Sequence, residues 1–174
     1  MKKNALLVLL MGISISFLFS CSGETEKLII NSPELQLSAE GPLFEGANTA
    51  TASWEFNLSE LIGKTEQEKA NIKNAKLTQV EIILQDSEEL PGIEKMVFEM
   101  TSKNTPMTRL GLYEGKIESG KPFGLSLASK QEKLASAFED GKITFVGDFD
   151  LLEEEYWDDI LFSLKATFEL EIKK

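Results

Sequence analysis

Between Ile160 and Lys173 apolar and polar residues alternate almost without exception. Ile160, Phe162, Leu164, Ala166, Phe168, Leu170 and Ile172 form one series, and Leu161, Ser163, Lys165, Thr167, Glu169, Glu171 and Lys173 the other. Side chains of an extended strand point to opposite faces in turn, so the run predicts a long strand with one face in a core and the other largely in water. Coiled as a helix, the same apolar residues would be spread around the whole cylinder.

The pattern recurs along the chain. It appears in Ala50, Ala52, Trp54, Phe56 and Leu58, in Phe123, Leu125 and Leu127, and in Ile143, Phe145, Gly147, Phe149 and Leu151. Met96, Phe98 and Met100 predict another strand, Leu110 with Leu112 a shorter one, and Leu35 with Leu37 a first one. Between Leu77 and Val80 the phase slips by one residue before Ile82 and Leu84 resume it, which predicts a bulge within a strand over Lys76–Gln85. Half-buried alternation belongs to antiparallel sheets, because parallel ones are covered on both faces.

Two helical signals interrupt the strands. Ser129-Lys130-Gln131-Glu132 has the form of a capping box, with Leu134 and Phe138 four apart behind it and Gly141 placed to end the turn. Thr65-Glu66-Gln67-Glu68 is a second box, leading to Ala70 and Ile72. Seven or eight strands sharing two short helices are too many for βαβ crossovers. The expected fold is therefore mainly β, an antiparallel β-sandwich of immunoglobulin-like or jelly-roll-like style, with both helices in connections and residues 28–174 in one domain. At 174 residues the chain is long enough to bury a core without disulfide or metal.

Composition removes many activities. There is no His, which excludes Ser/His/Asp and Cys/His nucleophile pairs and His-ligated metals, and the one Cys excludes an internal disulfide or a Cys cluster. With 18 Lys and Arg against 29 Asp and Glu the net charge is −11, which argues against nucleic acid as a partner.

The amino-terminal residues read differently from the rest. Lys2 and Lys3 precede an apolar run from Ala5 to Phe19, then Ser20 and Cys21, the three-part layout of a secretory signal. The run is short of the roughly 20 apolar residues that a spanning helix needs. Leu18-Phe19-Ser20-Cys21 resembles the lipobox of bacterial lipoproteins, and the only Cys of the chain stands where that motif requires it. The resemblance implies a signal peptide over 1–20, removal of which leaves a charge of −13, and a covalent lipid on Cys21. It also implies a tether over 21–27 and a cell-envelope location, in the outer membrane of a Gram-negative bacterium. The acidic tether is similar to the surface-export tethers of Bacteroidota. Two or more acyl chains hold a protein stably. A chain this acidic is repelled by an anionic bilayer, so the lipid is expected to do the holding while the domain stands off.

Candidate sites concentrate in one segment. Asp148 to Asp159 holds seven carboxylates in 12 residues, and Asp148, Asp150 and Glu154 offer oxygen ligands for calcium. The segment fails the EF-hand pattern, with Glu153 where a Gly is needed, and its plainer reading is a solvated loop between strands, with Asp148 and Asp150 on the outer face of a strand and no cofactor. Tyr156, Trp157 and Asp158 suggest a glycan site, in which a ring stacks on a sugar face and carboxylates accept hydroxyl hydrogens. The plainer reading there is that Trp157 caps the end of the sandwich and shields the core from water. Paired carboxylates would also serve glycoside hydrolysis, but nothing in the sequence selects a pair. The function expected first is a non-catalytic envelope module that binds or scaffolds an envelope protein. A glycan-binding accessory of a polysaccharide uptake system comes second, and a carboxylate-based glycoside hydrolase third.

Overall fold

The structure is a computed structural model and describes residues 25–63, 71–86 and 90–173. The expected signal peptide, Cys21 and the Thr65 capping box lie outside the described residues. The strands are β1 (Thr25–Asn31), β2 (Leu35–Ala39), β3 (Leu43–Glu55), β4 (Ile72–Leu84), β5 (Ile93–Thr101), β6 (Thr108–Ile117), β7 (Pro122–Phe123), β8 (Ser126–Leu127), β9 (Lys142–Tyr156) and β10 (Ile160–Lys173). Two short helices, α1 (Leu58–Leu61) and α2 (Leu134–Glu139), sit in connections.

All pairings between these strands are antiparallel. Strand β10 carries β4 along one edge, and β1 followed by β2 along the other. Ser32 joins the two tracks, donating its backbone N–H to the Ala166 carbonyl at 2.8 Å and accepting from the Ala166 N–H on its hydroxyl at 3.0 Å. Strand β2 touches β3 in register at Ser38 and Thr51 alone. At that narrow seam the sheet curls, so that β3, β9, β5 and β6 cover β4, β10 and β1, and the result is the expected antiparallel sandwich.

Aromatic rings fill the space between the layers. Trp54 and Phe145 each stack 6.3 Å from Phe168, and Phe149 meets Phe162 edge-on at 5.4 Å. Phe138 of α2 closes one end, 5.1 Å from Phe168. That helix end of the sandwich also carries the start of β1, the start of β4 and the finish of β10, while the β9–β10 hairpin lies at the opposite end.

The bulge read from the phase slip is present. Leu77 pairs with Phe168 and Gln79 with Thr167, leaving Thr78 as the extra residue, whose hydroxyl donates to the Thr167 carbonyl. The apolar runs of β5, β9 and β10 are buried as expected, as are Leu134 and Phe138. Gly141 ends α2 at a φ of 69°.

Four local expectations give way. Thr25, Glu26 and Lys27, expected in a tether, pair in β1 with Lys173, Ile172 and Glu171. The strand through Trp54 stops at Glu55: Asn57 caps α1 by accepting from the Ser59 N–H, so Leu58 is helical. The alternation from Phe123 to Leu127 is split, β7 pairing with β4 and β8 with β6, so this segment crosses between the open edges of the two layers.

The Ser129 box does not start α2. Lys133 precedes it at a φ of 66° with no side-chain cap. Gln131 instead reaches the outer edge of β4, where its amide accepts from the Leu77 N–H at 2.7 Å and donates to the Leu77 carbonyl at 3.1 Å. A side chain with both a donor and an acceptor thereby stands in for a neighbouring strand.

Phe168 touches Trp54, Phe138 and Phe145 together. Phe168→Ala is expected to lower unfolding free energy by about 3–5 kcal/mol, read as a lower urea midpoint with an unchanged slope.

Candidate functional site

Asp148 and Asp150 lie on the outer face of a strand as expected, but the residues after them do not form the expected loop. Strand β9 continues to Tyr156, and only Trp157, Asp158 and Asp159 make the turn into β10. Its alternation fails from Leu152 to Glu155, four exposed residues in a row. The cause is a bulge against β3, where Phe44 pairs with Glu155 and Gly46 with Leu151, so that three residues of β9 stand opposite Glu45. Asn48 holds the β3 side, donating to the Phe44 carbonyl at 2.8 Å and the Gly46 carbonyl at 3.0 Å. Gly46, at a φ of 95°, supplies the backbone geometry that other residues adopt only with strain.

The calcium candidates are held apart from one another. Asp148 accepts from the Thr49 hydroxyl at 2.6 Å, Asp150 lies 3.5 Å from the Lys95 ammonium, and Glu154 is exposed in the bulge. Among the described residues no group of three or more Asp, Glu, Cys or His is arranged to hold a metal ion. Glu153 is occupied too, its carboxylate accepting from the Gly92 N–H at 2.6 Å.

The three glycan candidates border one hollow but differ in exposure. Tyr156 points inward, 9% exposed, and joins the core, whereas Trp157 is 69% exposed at the hairpin tip and Asp158 is exposed beside it. The expectation that Trp157 caps the core therefore gives way: Tyr156 takes that position, and Trp157 is left in water. The turn itself is fixed from the connection between β2 and β3: Asp159 accepts from the Gly41 N–H at 3.0 Å, and a Cβ on Gly41 would collide with the Trp157 carbonyl. Tyr156, Trp157, Asp158, Glu153 and Glu155 border a shallow hollow of about 370 Å³ with Leu90 and Pro91. An exposed ring beside carboxylates can stack on an apolar face while accepting hydrogen bonds from hydroxyls around its rim.

At the other end of the sandwich lies a polar node. Asp140 accepts from the Ser102 hydroxyl at 2.5 Å, the Asn104 N–H at 2.8 Å and the Asn104 side-chain amide at 2.5 Å. Desolvation opposes its ionisation, but the bonds from Ser102 and Asn104 prevail and hold the carboxyl below its ordinary range. This is the reverse of the raised value that a glycosidase general acid requires. The Ser-Lys-Asn-Thr-Pro run was the available signal, since such residues bond locally to carboxylates and backbone.

No family model matches the chain, and no curated protein matches it. Among solved structures it is similar to turnip yellow mosaic virus, whose structure was determined at 100 K, with 13% identity over 88% of this chain and 96% of that one at a TM-score of 0.31. It is similar also to cocksfoot mottle virus, with 14% identity over 91% and 92% and the same score. Similarity at this level carries no argument about this chain.

The Tyr156 hydroxyl is buried without a hydrogen-bond partner among the described residues. An unpaired buried hydroxyl costs about 1–3 kcal/mol, so Tyr156→Phe is expected to raise stability by about 1 kcal/mol in urea unfolding, and a loss of stability would contradict the unpaired assignment.

Proposed function

We propose that this chain is a non-catalytic binding or scaffold module held to a bacterial cell envelope by lipid on Cys21, in the outer membrane of a Gram-negative organism. The observation that carries the reading is the coincidence of the only Cys with the one lipobox-like position, Leu18-Phe19-Ser20-Cys21, four residues before the first strand of a β-sandwich. The absence of His from the sequence supports a binding role over hydrolytic chemistry that relies on imidazole. Growth with labelled palmitate is expected to label the wild-type chain and not Cys21→Ala. Label retained in the variant would sink the anchor.

A second reading is favoured by Trp157, which a soluble module has no packing reason to hold 69% exposed at a hairpin tip. Here the ligand is a glycan, stacked on Trp157 and bonded to Glu155 and Asp158 above the hollow. Retention on a polysaccharide affinity gel is expected to fall in Trp157→Ala with no change in melting temperature. Equal migration of both forms would leave the scaffold reading alone.

A further inference from the structure

We infer that the helix end of the sandwich rests against the lipid surface and that the β9–β10 hairpin is the outward pole. This deepens the anchoring proposal and rests on it. The span from Cys21 to Thr25 is four residues, and an extended chain covers at most about 3.6 Å per residue, so the first paired residue of β1 lies within about 14 Å of the Cys21 backbone. Thr25 pairs with Lys173, whose N–H bonds the Asn71 carbonyl at 3.0 Å. The residues beside the point of attachment are therefore those of the helix end, and the expectation of a domain standing off on a seven-residue tether gives way to one held close.

Charge sorts along the same axis. Lys73, Lys76, Lys103, Arg109, Lys133 and Lys173 are exposed toward the helix end and make no ion pair among the described residues. The carboxylates there are partly engaged: Glu55 pairs with Lys142, Glu169 with Lys27, and Asp140 is tied to Ser102 and Asn104. Glu26, Glu60 and Glu139 stand among them, so this end is mixed in sign. The hairpin end has cations too, Lys95 on Asp150, Lys121 on Glu118 and the exposed Lys116 beside Glu153, but acids outnumber them. From Ile143 to Leu164 the sequence has no Lys or Arg, and Glu153, Glu154, Glu155, Asp158 and Asp159 are all exposed. Against an anionic headgroup layer the acidic pole is repelled and the unpaired cations are attracted, so the field turns the molecule the same way as the short attachment does.

The test uses the full lipidated chain in vesicles of phosphatidylethanolamine and phosphatidylglycerol carrying a spin label on the headgroup, which quenches nearby indole emission. Trp157 reports the hairpin pole, as the difference between wild type and Trp157→Phe. In the Trp157→Phe background, Asn71→Trp reports the helix end, and Met107→Trp is a second reporter there should the first fail to fold; both positions are exposed. The labelled lipid is expected to remove emission from the helix-end reporters and to spare Trp157, while aqueous acrylamide, a neutral quencher, removes emission from Trp157. Vesicle-bound protein in which Trp157 is quenched by the lipid label as strongly as the helix-end reporters would overturn the orientation. Protein that does not float with the vesicles, or Cys21→Ala that still does, would overturn the anchor and the orientation with it.

Discussion

The inward face of β10 is the constraint to which the rest of the sandwich answers. Its seven core residues, from Ile160 to Ile172, are at most 1% exposed, and three strands hydrogen-bond to its two edges. Each buried side chain of this size contributes on the order of 1.5–3 kcal/mol, and a slip of one residue would turn all of them to water. Neighbouring strands must therefore match the phase of β10. Strand β4 does so only by inserting Thr78, which lets Ala75 and Leu77 before the bulge and Val80, Ile82 and Leu84 after it all face inward.

How much was legible follows from that dependence. Strands β5, β9 and β10 and the bulge of β4 were readable because burial on one face leaves a period of two in the sequence, and a bulge leaves a visible slip in it. Strand β1 was not, because Ile30 alone is buried in it while Ile29 is exposed, so the segment carries no alternation to find. Its structure is imposed by the edge of β10 and by Ser32. The capping box at Ser129 misled for the opposite reason: the local signal is genuine, but Gln131 meets two unpaired backbone groups at Leu77 and bonds to those instead.

The candidate site was half legible. The acidic segment and its aromatics were found from composition, yet whether they formed a loop or a strand turned on the Phe44–Gly46 bulge and on Asn48, which are remote in sequence. Tyr156 and Trp157 looked equivalent as neighbours. Because Tyr156 is the last residue of a strand, one ring belongs to the core and the other to solvent.

The Gln131 clamp bears on how these molecules behave toward one another. Strand β4 is 13 residues long; β7 covers it at Ile82 and Ile83 and Gly120 bonds the Leu84 carbonyl, but among the described residues no strand pairs with that side from Ile72 to Glu81. An open flank of that length is a template for intermolecular sheet growth. By occupying the donor and acceptor of Leu77 with a side-chain amide, the chain interrupts the ladder near its middle, and the bulged Thr78 beside it bends what remains. The Gln131 amide thus takes up a donor and an acceptor that an open edge would otherwise offer to another strand.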